Sequence, residues 1–240
     1  MALPFFYINE YITSQEEIVL DEETSRHVVQ VLRMKEGEKL NLTDGRGNLI
    51  TAEVVDAHKK HCSVKITGSK LTTHDSRKVA IAISLLKNTS RFEWFLEKAI
   101  EIGVSEIIPL ICERTEKQKF RYDRMKGICI SAMLQSQQCW LPILDEPVKY
   151  TEYIKSIKDK AGLTKFIAHC EEQGQKNSLS TFQLLNHSTT LIGPEGDFTE
   201  EEIQLASEKQ FETLSLGESR LRTETAGLYV CQAASLLTIV

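Results

Sequence analysis

"LIGPEGDFTEEEI", residues 191–203, sets two glycines and a proline between an apolar run and an acidic, helix-like stretch. The chain has only 12 glycines and 5 prolines in 240 residues, so their clustering here marks a backbone with a special task. Leu191 and Ile192 read as the end of a strand. Thr199 and Glu202 have the spacing of a capping box, in which the hydroxyl and the carboxylate each accept an otherwise orphaned N–H of the first helical turn. Between them, Gly193 and Gly196 allow close backbone approach or positive φ, and Pro194 stiffens the loop. Strand, glycine elbow and capped helix make up one βα unit of a parallel sheet, and ligands of such sheets sit outside the carboxyl ends of the strands.

Working outward, the same alternation recurs. "VAIAISLL" (79–86) is a continuous apolar run suited to a strand buried on both faces. "RFEWFLEKAIEIG" then reads as a helix with Phe92, Phe95, Leu96, Ala99 and Ile100 inward and Gly103 at its end, followed by the strand "SEIIPLI". The pattern predicts a helix over 124–137, a strand at 165–170, a helix near 180–185, the strand "TTLIG", a helix from Glu200, the strand "ETLSLG" and a last helix to Val240. Strands alternating with helices at this spacing mean an α/β domain with a covered parallel sheet.

The first 72 residues have another texture. "KLNLTDGRGNLITAEVVDA" reads as a hairpin around a turn-rich "DGRGN", "HCSVKIT" adds a third strand, and the upstream "EIVL" a fourth. "SRHVVQVLRMKEG" predicts one helix, with Val28, Val31 and Leu32 on its inner face and its stop at Gly37. The domain boundary is placed in the polar "LTTHDSR", giving a β-rich module over 1–72 and an α/β domain over 73–240.

Composition sets limits on function. At 41% hydrophobic and 26% charged the chain reads as globular; it has no apolar run near the roughly 18 residues of a membrane span, and its start lacks signal-peptide features. A cytoplasmic location is the expectation. Six scattered cysteines without zinc spacing predict reduced, mostly buried thiols and no metal. The net charge is −5, yet between Lys59 and Arg91 eight Lys and Arg face a single acid, Asp75. Such a strip is either a solvated face or one that meets phosphates.

A second elbow, "SLGESRLRTETAG" (215–227), ends a strand at Leu216 and Gly217 and delivers Arg220, Arg222, Thr223, Glu224 and Thr225 to the last helix. Neither elbow is a dinucleotide fingerprint or a phosphate loop, and no common hydrolase motif occurs. What remains is a ligand site built chiefly from backbone groups.

Together the two elbows resemble the C-terminal motifs of the RsmE-type SPOUT RNA methyltransferases. "HVVQVLRMKEGEKLNLTDGRGN" is similar to that family's PUA-like RNA-binding domain, a small β-barrel, and "FLEKAIEIGVSEIIPLICERT" to its first βαβ unit. The resemblance implies a trefoil knot in the C-terminal part of the sheet, a homodimer, and transfer of a methyl group from S-adenosyl-L-methionine to N3 of a uridine in small-subunit (16S) ribosomal RNA. By position, Leu191, Ile192, Gly193, Pro194, Glu195 and Gly196 would line one side of the cofactor. Leu216, Gly217, Leu221, Arg222 and Thr223 would line the other.

Two further roles are expected at the second elbow. Arg222 would stabilise charge on the uracil oxygens, and Glu224 would take or relay the N3 proton unless it serves only the helix start. The RNA contacts implied are Arg26, Arg33, Lys59, Lys60, Lys87 and Arg91, with Lys35 and Arg46 nearby. Two departures from the family pattern stand out. "LQSQQCWLP" (134–142) lacks a Glu and an Arg usual in that run, and Asp197 replaces a common glycine. Readings left open are methylation of another RNA base or a ribose 2′-oxygen, and a non-catalytic RNA-binding assembly factor.

Overall fold

The structure is a computed structural model, and it describes residues 3–73, 78–157, 162–170, 177 and 187–236. The chain forms two compact units: Met1–His74 with Met133–Leu141, and Asp75–Ala132 with Pro142–Val240.

In the first unit, strands β1 (Phe5–Tyr7), β2 (Glu17–Val19), β3 (Lys39–Thr43), β4 (Asn48–Asp56) and β5 (Ser63–Leu71) form one sheet in the order β1-β3-β4-β5-β2. Leu40, Leu42, Ile50, Ala52, Val54 and Val64 alternate inward to a shared core, as a strand's period of two requires. The hairpin read from sequence is present. The helix is not the one predicted: α1 (Glu22–Arg26), capped by Asp21, runs into a π-helical turn over His27–Val31. The wider turn rotates the side chains that follow, so Val28 is buried while Val31 and Leu32, expected inside, are 67% and 43% exposed. Arg33 (φ 56°) ends the helix, and Gly37 instead opens the turn into β3, its N–H donating to the Val54 carbonyl at 2.8 Å.

The divergent "LQSQQCWLP" stretch has a structural role within this unit. The Trp140 ring lies where a side chain on Gly47 would be, and its Nε1 donates to the Thr72 carbonyl at 3.3 Å. Gly47 N–H donates to Cys139 O, and Leu141 N–H to Gly45 O, each at 2.8 Å. Gly45 and Gly47 both have positive φ, so the "DGRGN" turn can be covered this closely only by glycine.

The second unit is built on seven parallel strands. They are β6 (Lys78–Ser84), β7 (Glu106–Ile111), β8 (Ile143–Leu144), β9 (Val148–Lys149), β10 (Leu163–Ala168), β11 (His187–Ile192) and β12 (Glu212–Leu214). Their order is β12-β10-β11-β6-β7-β8, with β9 also on β7. Helix α2 (Thr89–Ile102) buries the five residues read from its periodicity, and Gly103 closes it with φ 103°. Helices α3 (Tyr122–Gln135), α4 (Tyr150–Ser156), α5 (Glu200–Glu208) and α6 (Thr223–Leu236) follow. The predicted helix near 180–185 lies outside the described residues.

The C-terminal course decides the topology. From central β11 the chain goes to the far edge as β12, then returns as α6 to pack on α2, β6 and β11. This return past β10 fits the trefoil topology that the resemblance implies, a rare exception to unknotted connection rules. Gly227 makes it close, because a side chain there would meet Phe95 and Ile83.

Candidate functional site

Because every strand of the second sheet runs the same way, the loops after β7, β10, β11 and β12 open at one edge. There they enclose a cavity of about 810 Å³. Both elbows found in the sequence line it, together with Arg114, His169 and Cys170. A larger hollow of about 1500 Å³ runs along α5 and β10, but no candidate residue of the elbows borders it.

The first elbow turns as its residues require. Asp197 N–H donates to Pro194 O at 3.0 Å, and Asp197 takes a left-handed φ of 64°. Its carboxylate offsets that strain, accepting from Phe198 N–H and, through Oδ2, from Cys170 N–H at the end of β10, each at 2.8 Å. The aspartate that departs from the family pattern therefore ties two loops of the cavity together. Neither Gly193 nor Gly196 has positive φ. Their missing side chains make room instead for Phe198, whose ring would stand 3.1 Å from a Gly193 Cβ, and for the Arg114 stem, 3.4 Å from one on Gly196.

Arg114 was not singled out in the sequence, since one arginine after a strand carries no pattern. Its Nη1 donates to the carbonyls of Gly196 at 2.8 Å and Phe198 at 3.2 Å, clamping the elbow from outside. Below the elbow, the Thr199–Glu202 capping box is formed as read. Glu202, buried, also accepts from Glu113 N–H at 2.9 Å, which joins the loop after β7 to the start of α5. Ser84 and Thr115 share a buried hydroxyl contact at 2.9 Å behind the same loops.

The second elbow is longer than predicted: β12 stops at Leu214, leaving 215–222 as loop. Leu216, Gly217 (φ 111°), Leu221, Arg222 and Thr223 all reach the cavity. Arg222 is exposed and immediately precedes α6, its carbonyl accepting from Ala226 N–H at 2.8 Å. A cation there opposes the positive end of the helix dipole, so Arg222 serves something other than the helix.

Of the eleven cofactor candidates, ten line the cavity; Leu191 lies in the core beneath it. Glu224 is buried just beyond the wall and faces Arg91 of α2. Lys87 pairs with Glu116, which holds its ammonium above the usual lysine range, and its N–H meets Glu195 of the first elbow at 3.2 Å. In the other unit, Arg26 and Lys60 both pair with Glu22, and Lys59 and Arg33 are exposed. Among the described residues no cluster of three His, Cys, Asp or Glu side chains could hold a metal ion.

The cavity can be tested against an adenosyl sulfonium ligand. Ile192, Leu216, Leu221 and Ala226 offer apolar wall for a purine, the glycine-bearing loops after β11 and β12 line the same space, and Arg220 and Arg222 can meet a carboxylate. The residues fit such a group.

Residues 73–235 match the model of the RNA methyltransferase domain, and residues 20–67 that of the RNA methyltransferase PUA domain. The chain is 28% identical to the ribosomal RNA small subunit methyltransferase E of Rickettsia conorii, over 96% of this chain and 94% of that one. A crystal structure described as a probable rRNA-methyltransferase from Porphyromonas gingivalis is 36% identical with a TM-score of 0.89, covering 98% of each chain. The small subunit methyltransferase E of Neisseria gonorrhoeae, solved with S-adenosyl methionine bound, is 29% identical with a TM-score of 0.84, again over 98% of each. With two elbows closing one cavity over a knotted parallel sheet and both family models matched in order, the chain belongs to the RNA methyltransferases that carry an N-terminal PUA domain.

Proposed function

We propose that this protein methylates N3 of a uridine in small-subunit ribosomal RNA, with S-adenosylmethionine as the methyl donor. The observation that carries the reading is the convergence of the two elbows on one cavity beside the start of α6, where the Arg222 side chain is exposed. When bound, S-adenosylmethionine supplies an electrophilic methyl group on a sulfonium. The chain's own part is to hold the acceptor in line and to manage charge. Uridine N3 bears a proton and becomes nucleophilic once that proton passes to solvent water. Arg222 donates hydrogen bonds to the uracil oxygens on which the charge then spreads, as an oxyanion donor does.

The reading includes a homodimer. Its support is the side-by-side packing of α2 and α6, which leaves Trp94 and Tyr229 46% and 47% exposed, one aromatic on each helix. Six free thiols, five of them buried, suit a reducing compartment, and the reading places the enzyme in the cytoplasm. The test is incorporation of labelled methyl groups into purified small-subunit particles and their RNA. Incorporation above that into large-subunit RNA supports the reading; donor binding without incorporation into either would overturn it and favour a non-catalytic RNA-binding factor.

A further inference from the structure

Glu224 is the most anomalous charged group in the second unit. It is 5% exposed, and its Oε2 has no hydrogen-bond partner. Its Oε1 lies 3.8 Å from Arg91 Nε, an ion pair longer than a hydrogen bond. Position in the first turn of α6 favours an acidic side chain through the helix dipole, but it does not require one oxygen to be buried without a donor. A carboxylate desolvated and left half-satisfied costs stability, and such costs persist mainly where a site uses them.

Arg91 supplies the other half of the observation. It sits in the first turn of α2, just beyond the carboxyl end of β6, and its side chain is 41% exposed. One turn earlier, Lys87 is bound to the first elbow through Glu195. On the other side, Thr223, the neighbour of Glu224, lines the donor cavity. Arg91 therefore stands between the first elbow's Lys87–Glu195 contact and the cavity-lining Thr223, with its Nε toward a buried carboxylate and its side chain 41% exposed. An arginine fork held on one edge and open on the other suits a phosphate or a base oxygen, which it can grip with two parallel hydrogen bonds.

We propose that Glu224 is a positioning residue that holds Arg91 against the acceptor RNA, so that Arg91 contacts the RNA and Glu224 acts through it. The inference rests on the reading of the protein as an RNA methyltransferase of small-subunit RNA, but not on which atom of the nucleotide is methylated. When the acceptor draws the guanidinium into line, the fork can close on both carboxylate oxygens and satisfy Oε2.

The test is a double-mutant cycle with Glu224→Gln, Arg91→Ala and both together. It is read as kcat/KM for methyl incorporation into small-subunit RNA and, separately, as S-adenosylmethionine affinity by calorimetry. Each single change is expected to lower kcat/KM for RNA by about tenfold with donor affinity unchanged, and the double variant to be no worse than Arg91→Ala. Multiplied losses in the double variant would overturn the proposal, as would wild-type kinetics in either single variant. So would lost donor affinity in Glu224→Gln, which would make Glu224 a structural part of the cavity wall. A wild-type protein that methylates no RNA would instead refute the functional reading, a distinct outcome.

Discussion

Arg222 is the residue on which the proposed chemistry turns. It lines the cavity, it is exposed, and it precedes a helix whose dipole disfavours it. Replacing Arg222 with Ala is predicted to reduce turnover by about a hundredfold or more, the loss typical of an oxyanion donor. Calorimetric affinity for S-adenosylmethionine should stay near wild type, and wild-type turnover would remove Arg222 from the mechanism. The elbow residues themselves were legible in the sequence, because two glycines and a proline beside a capping box form a local pattern. Arg114 and the bond from Asp197 to Cys170 N–H were not, because each joins loops far apart in sequence. The sequence reading left close approach or positive φ open for these glycines; neither has positive φ, and Phe198 and Arg114 pack where their side chains would stand.

At the level of elements, α5 holds the first elbow through Glu202, whose carboxylate serves Thr199 N–H and Glu113 N–H at 2.9 Å each while its carbonyl accepts from the Tyr150 hydroxyl at 2.7 Å. Glu202→Ala removes the carboxylate partner of two part-buried N–H donors, and it is predicted to cost about 1–3 kcal/mol. A lowered Tm in thermal unfolding, with weaker donor binding, is the expected result; an unchanged Tm would refute it. Between α2 and α3, Arg124 grips Glu93 through Nε at 2.6 Å and Nη2 at 2.9 Å. The Arg124 hydrogen bonds hold the Glu93 carboxyl below its ordinary range. A carboxylate held low in the folded state stabilises at pH above its ordinary value, near 4.3, and loses that contribution as pH falls through the depressed value. With Arg124 half exposed, the pair contributes under about 1 kcal/mol. The Tm gap between wild type and Glu93→Gln should therefore be small at pH 7 and shrink below pH ~4; a gap that widens in acid would contradict the pairing. Helix α2 and its inward face were read correctly, because 14 residues give four turns of periodicity. The helix over 25–37 was misread because a π turn breaks the 3.6-residue period without leaving a mark in composition.

For the whole molecule, the alternation of strands and helices announced a parallel sheet, but strand order and the return of α6 past β10 depend on contacts between distant segments. Only the resemblance implied the knot. The "LQSQQCWLP" stretch shows the same limit: its departure from the family pattern is visible in the sequence, but its closing over the "DGRGN" turn of the first unit is not. If α2 and α6 form the homodimer face, Tyr229→Glu should shift the protein toward monomer in sedimentation velocity, and an unchanged dimer would place the interface elsewhere. The claim that binds all three scales is that the cavity delivers a methyl group to one atom of a uridine. It is tested most directly by nucleoside mass spectrometry of small-subunit ribosomal RNA after reaction with the protein and labelled S-adenosylmethionine. The account predicts labelled 3-methyluridine; label on a ribose oxygen or on another base would contradict it.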